Sequence, residues 1–305
     1  MIRLLKVMER VSQARVLALL GLLWAPVAVS AMSAQGLQFP VWLERDGDRV
    51  ALALGQEIEP GAQVVTGDGG KVWLRMDDGA LVKLGESAQL AVKAIRVRPA
   101  PAVPSASSQS GSFIEAALDV LEGAFRYTTS AIENNWRRDV QLGLGGTATV
   151  GIRGTDLWGQ VGPQQQFVVL LEGRIEVTPT DGSAVTLDTP LQIYQAVENA
   201  VGDVTMDQVA ALAPETELDF GSGVQSEDGA FQLNLASFDQ QSAAERALRR
   251  ARAAGLSTEL QSAQVEGRTW YRLVVLHMAS LADARALKTR LTQEMGFSSP
   301  WVSNQ

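Results

Sequence analysis

The chain contains no cysteine, which excludes disulfide staples, thiolate metal sites, thiol nucleophiles and cysteine-borne lipid anchors together. Histidine is nearly as scarce. His277 stands alone, so a multi-histidine metal centre is excluded too. Basic charge is in deficit: 26 Lys and Arg oppose 34 Asp and Glu in 305 residues, a formal net charge of −8, and no nucleic-acid grip is expected from such a surface. The apolar run Val16 to Val29 is broken by Pro26 and falls short of the ~20 residues a membrane helix needs. What the chain does have is 46% apolar residues, the share of an ordinary globular protein, at a length suited to about two domains.

Arg3, Lys6, Arg10 and Arg15 precede that run, and Val29-Ser30-Ala31 supplies a small-x-small cleavage pattern. Residues 1–31 therefore read as a removable export signal, and the remainder as a periplasmic chain that does not span the membrane. After cleavage 22 bases and 33 acids remain. The compartment has no ATP, and its most abundant polymer is the cell wall.

The remaining chain divides by charge. Residues 32–227 hold 13 bases and 26 acids, whereas 228–305 hold nine and seven, so the acidic excess belongs to the first part. The expected organisation is a β domain over 32–200 with a flexible loop at about 97–112, an acidic linker over 201–228 that is poor in packing groups, and a second domain over 229–305. In the first part, Val72, Leu74 and Met76 alternate with polar or outward residues, Asp77-Asp78-Gly79 turns the chain, and Val82 and Leu84 resume, which predicts a hairpin. Further short strands at 64–65, 88–92, 148–152, 167–171 and 174–177 predict an all-β sandwich or roll. Ser112 and Glu115 form a capping-box pattern that predicts one helix over Phe113 to Leu121. Gly143-x-Gly145-x-x-Ala148 fits a dinucleotide fingerprint only on paper, because the β-branched residues after it favour a strand. Asp46-Gly47-Asp48 reads as a plain turn.

The segment Thr66-Gly67-Asp68-Gly69-Gly70-Lys71-Val72-Trp73-Leu74-Arg75-Met76-Asp77-Asp78-Gly79 with Val82-Lys83-Leu84-Gly85 resembles the central hairpin of FecR-type periplasmic domains. Thr149-Val150-Gly151-Ile152-Arg153-Gly154-Thr155 and Leu171-Glu172-Gly173-Arg174-Ile175-Glu176-Val177 carry the same resemblance. What such a domain recognises does not follow from these residues; an envelope or divisome protein is the partner expected of it. The anti-sigma segment and membrane span of iron-signalling members are not found ahead of it here.

In the second part a strand at 231–235 is followed by a helix ending at Gly255, with Ser242 and Glu245 as its capping box and Ala244, Ala247, Leu248 and Ala251 on one face. The pattern repeats: a strand over 269–276, Ser280 and Asp283 capping a helix that buries Leu281, Ala284, Leu287, Leu291 and Met295, and Gly296 ending it. With strands near 258–265 and Trp301 this is an α+β ferredoxin-like βαββαβ order. Right-handed crossovers put both helices on one face and leave the other bare. Alternation sends Asn234, Trp270, Arg272 and Val274 to the bare side and buries Tyr271, Leu273 and Val275. An aromatic plate beside planar hydrogen-bonding groups suits a sugar ring, with C–H bonds on its faces and hydroxyls on its rim.

Phe231-Gln232-Leu233-Asn234-Leu235-Ala236-Ser237-Phe238 and Trp270-Tyr271-Arg272-Leu273-Val274-Val275, with the repeats around them, resemble a SPOR domain. The resemblance implies binding to septal peptidoglycan, favouring glycan strands stripped of stem peptides, with Asn234, Ser237, Trp270, Arg272 and Trp301 as glycan-binding residues. Asn234 stands where the family usually has Gln, and Leu276-His277 replaces a Gly-Pro. The alternative for Trp270 and Trp301 is packing against the linker or first domain. His277 reads as a solvated loop residue, and Trp42, Trp73, Trp136 and Trp158 as packing groups.

No metal, cofactor or catalytic residue is expected, since histidine and cysteine are nearly absent and no carboxylate pair sits on a motif. The sequence thus predicts a non-enzymatic peptidoglycan-binding protein of the periplasm, concentrated at the division septum. The competing class is an envelope-sensing regulator or scaffold in which the FecR-like domain signals and the SPOR module is only a tether.

Overall fold

The computed structural model describes residues 32–99, 112–129 and 136–305. The export signal and nearly all of the expected polar loop lie outside the described residues. The first half of the β domain comprises β1 (Met32–Gln38), β2 (Val41–Arg45), β3 (Asp48–Ala51), β4 (Gln63–Thr66), β5 (Lys71–Met76), β6 (Leu81–Leu84), β7 (Gln89–Pro99) and β8 (Ser112–Thr128). The second half comprises β9 (Trp136–Leu144), β10 (Ala148–Ile152), β11 (Asp156–Val161), β12 (Gln166–Glu172), β13 (Ile175–Pro179), β14 (Val185–Leu187), β15 (Gln192–Gln195) and β16 (Ala200–Asp203).

These strands fall into two sheets that share β8. Its first half pairs with β7 and β9, and its second half with β6 and β11. Gly123, at φ 92°, makes the bend; a Cβ there would lie 2.4 Å from that of Ala88. The helix expected over 113–121 is thus overturned. Ile114, Ala116, Leu118 and Val120 are buried at period two, and β7 and β9 supply a backbone partner on each side, which outweighs a capping pattern of local origin. The β5–β6 hairpin forms as expected, with Val72, Leu74, Met76, Val82 and Leu84 in the core. Its turn is pinned to β9: Arg138 Nε donates to the buried Asp78 Oδ2 at 2.5 Å. Asp46-Gly47 turns β2 into β3, and Gly145-Gly146 turns β9 into β10, so the nucleotide-like glycines open no helix.

Residues 201–228 do not behave as a loose linker. They contain a short helix, α1 (Met206–Leu212), and β17 (Val224–Ser226), and the strap between them is docked on the first domain. Lys71 Nζ donates to the carbonyls of Pro214 and Glu217 at 2.8 and 2.9 Å. Trp73 Nε1 donates to the Thr216 carbonyl, and the Glu217 carboxylate lies 2.6 Å from Lys83 Nζ and 3.4 Å from Arg126 Nη1. The acids that make the segment look unstructured in sequence are the groups that neutralise this cationic floor. Burial, with Glu86 nearby, raises the Glu215 carboxyl above its ordinary value, partly offset by Lys71.

The C-terminal module follows as β18 (Phe231–Phe238), α2 (Gln241–Ala253), β19 (Glu259–Val265), β20 (Arg268–Met278), α3 (Leu281–Met295) and β21 (Trp301–Asn304). Two expected helix details change. Gln240, without a side-chain cap bond, is the N-cap of α2 in place of Ser242, and Leu281 is exposed because the chain enters α3 on its solvent side. Ser280 caps α3 as expected, accepting from the Asp283 N–H.

The two domains join through β17, which pairs with β1 on one side and meets β20 at Met278 on the other. Asp283, fully buried at the start of α3, holds this junction. Its Oδ1 accepts from the N–H groups of Gly221, Gly223 and Val224 at 2.7, 3.1 and 2.9 Å, and its Oδ2 accepts from Ser280 Oγ. Trp42 Nε1 donates to the Ala253 carbonyl, and Arg290 Nη1 to that of Phe39. Trp42 and Trp73 are therefore packing groups, as is the buried Trp158.

Candidate glycan-binding face

The sheet of the C-terminal module runs β21–β18–β20–β19, antiparallel throughout. Leu233, Leu235, Leu273 and Val275 pack against Ala247, Ala251, Ala284, Leu287 and Leu291 of the helices. Each fully buried leucine of this layer contributes about 1.5–3 kcal/mol. Residues opposed across antiparallel strands share a face, so register alone lists what stands on the helix-free side. One row reads Trp301, Asn234, Val274, Glu259; the next reads Ser237, Arg272, Gln261; a third pairs Trp270 with Ala263.

Four of the five expected site residues reach solvent. Trp301 is 40% exposed, Ser237 is exposed, and Trp270 and Arg272 are half-buried. The two indoles lie four residues apart along the strand direction and two strands apart across it, about 16 Å between backbones. The Arg272 guanidinium stands in the row between them, and Gln232 and Gln261 stand to either side.

Asn234 is the correction. It stands on the helix-free face, yet is only 1% exposed, and its carboxamide is fully engaged. Nδ2 donates to Ser303 Oγ at 3.0 Å and to the Trp301 carbonyl at 3.4 Å, and Oδ1 accepts from Gln232 Nε2 at 2.8 Å. A short amide at the sheet centre sits below its longer neighbours and ties the edge strand β21 to β18. It orients the Trp301 strand and has no free hydrogen-bonding group to offer a ligand. Val274, expected outward, is fully buried, and Tyr271, expected inside, is half-buried.

The residues that the first reading missed are Gln232, Gln261 and Ser303. Gln232 Nε2 also donates to Gln261 Oε1 at 3.3 Å, so one amide network crosses three strands. The same alternation that placed Asn234 outward carries Gln232 with it, but only pairing brings Gln261 and Ser303 alongside. His277 is not a loop residue. It lies within β20 at φ 57°, its N–H donates to Gln305 Oε1, and its carbonyl would meet a Cβ at Gly229 at 2.1 Å.

Residues 227–304 match the family model described as the SPOR domain. The C-terminal module is a SPOR domain. That assignment supports peptidoglycan binding. The FecR-type resemblance of the first domain has no corresponding family match. No curated protein matches the chain. Two crystal structures of a protein from Parabacteroides distasonis ATCC 8503, assigned as an anti-sigma factor, are similar to it at 11% and 12% identity. Their TM-scores are 0.33 and 0.35, covering 68% of this chain and 96% of that one, a likeness too low to carry function. Among the described residues, no helix is long and apolar enough to cross a membrane.

Proposed function

We propose that the chain is a non-catalytic wall-binding protein of the periplasm whose SPOR domain holds glycan strands stripped of stem peptides, enriched at the septum. The FecR-like domain would then present its acidic surface to an envelope or divisome partner. The observation that carries this reading is the helix-free SPOR face, where Trp270 and Trp301 offer two aromatic plates with Arg272 between their rows and the Gln232–Gln261 amide pair alongside. One aromatic contact contributes roughly 0.5–1.5 kcal/mol beyond its area, so a single domain holds weakly and gains from the repeated sites of a polymer.

A freely moving tether fits less well. The continuous β1–β17–β20 pairing and the Asp283 contacts favour one body in which wall attachment orients the first domain. The test is co-sedimentation of the full chain with wall sacculi, before and after amidase treatment. Greater retention on amidase-treated wall is expected; equal or lower retention rejects the preference for stripped glycan.

A further inference from the structure

Among the described residues, the first domain leaves a second sheet face without a helix over it, on the outer side of β8, β9, β10, β13 and β14. Arg137, Asp139, Gln141, Thr149, Glu176 and Thr178 are all exposed there. Of the 13 cations in residues 32–227, six stand on or beside this face: Lys93, Arg96, Arg98, Arg137, Arg153 and Arg174. The same face carries Glu115, Asp119, Asp139, Glu176 and Asp188, and Lys93, Arg96, Arg98 and Arg174 pair with Asp119, Glu115 and Asp188, so both signs of charge are interleaved on it. Lys71, Lys83 and Arg126 are held by the strap, and Arg138 is held by Asp78.

At the centre lies an open trough of about 620 Å³. Its floor drops at Gly151, which is in register with Gln141 on one side and Glu176 on the other; a Cβ there would meet only the Glu176 carbonyl, at 3.7 Å. Thr149, Thr178 and Thr186 line the trough with hydroxyls, Asp139 and Glu176 with carboxylates, and Arg153 and Arg174 supply guanidinium groups, that of Arg174 also lying 3.2 Å from Asp188 Oδ2. No aromatic side chain lines it, so it offers no plate for a sugar ring. Beside it on β8, Asp119 is 93% buried; one oxygen holds Lys93 Nζ at 2.6 Å, and Oδ1 has no partner among the described residues. Gly143 opposite leaves room for that oxygen, since a Cβ would come within 2.4 Å of it. An unpaired buried acceptor is costly unless a donor arrives.

We infer that this trough binds a carboxylate-bearing peptide and that, on the wall-binding reading above, the occupant is a stem peptide of peptidoglycan. Guanidinium groups pair bidentately with carboxylates, which fits Arg153 and Arg174 to the free carboxyl groups of such a peptide. Gln141 and the threonines match its amides, and Asp139 and Glu176 match an amine-bearing residue. The two open faces then take different parts of one polymer, stripped glycan at the SPOR domain and peptide at the first domain, so the protein is placed where peptide-bearing and stripped strands meet.

The test is calorimetric titration of the full chain with free stem peptide and with peptide-free disaccharide. The stem peptide is expected to bind wild type, more weakly as salt rises, and roughly tenfold to a hundredfold more weakly to the Arg153→Glu/Arg174→Glu variant. Gly151→Leu, which fills the trough without changing charge, should also abolish binding, while Trp270→Ala should leave it intact. Absence of binding to wild type, equal binding by both trough variants, or loss in Trp270→Ala overturns the assignment. So does tighter binding of an unrelated acidic peptide, which would make the occupant a protein segment. If the peptide binds but the wild-type chain does not sediment with sacculi, the trough stands and the wall reading fails.

Discussion

Among the described residues two sheet faces lack a helical cover, and their side-chain chemistry differs. The SPOR face carries two indoles and an amide network around one guanidinium, over a centre closed by Val274 and Asn234. The first-domain face carries interleaved cations and carboxylates, hydroxyls and a glycine-floored trough that no aromatic among the described residues lines. Both are pleated sheet, antiparallel throughout in the SPOR domain and with one parallel pair, β8–β9, in the first domain. What differs is the side chain set at every second residue, and that choice decides whether a face can lie along the C–H bonds of a sugar or fork a carboxylate.

The comparison requires that both faces sit in one frame, and the Asp283→Ala variant breaks that frame at the greatest cost. Gly223 and Val224 would keep buried N–H groups without an acceptor, so a loss of about 3–5 kcal/mol is expected, read as a lower denaturation midpoint. An unchanged midpoint would remove Asp283 as the joint. Asn234→Ala comes next, with a loss of about 1–2 kcal/mol of stability and little change in affinity for stripped glycan. If affinity falls while stability holds, Asn234 touches the ligand and the SPOR face has to be redrawn. Trp270→Ala should do the reverse, weakening sacculus binding by about 0.5–1.5 kcal/mol with stability nearly unchanged.

The smallest effect concerns the strap. The folded pKa of Glu215 is raised, so its contribution favours folding below the usual glutamate range and is lost as pH rises through the raised value. Glu215→Gln should therefore add a few tenths of a kcal/mol near neutral pH and nothing in acid, after screening at this partly exposed site. A destabilised variant at pH 7 would mean that the carboxylate is held by its neighbours rather than strained by them.

Much of the SPOR domain was legible because its periods are long and its stops are chemical. Ala244, Ala247 and Ala251, the Ser280 cap and the glycines at 255 and 296 each announce themselves locally. Leu118 was not legible in the same way. Its segment fits a helical face as well as a strand, and only β7 and β9 alongside decide between them. Trp270 and Arg272 could be assigned to the open face by alternation. The burial of Asn234 could not, since it depends on Ser303 and Gln232 arriving from other positions of the sheet.

By itself, then, the sequence determined which residues alternate, where helices stop and which chemistries have no reagents, because these follow from neighbours a few positions apart. Tertiary structure alone decided that an acidic strap would dock on Lys71, Lys83 and Arg126, that Asp283 would hold the junction, and that Arg153 and Arg174 would meet Asp139 and Glu176 round one trough. Those are pairings across tens to hundreds of residues. Their free energy exists only once the backbone has brought the partners together and water has been excluded from between them.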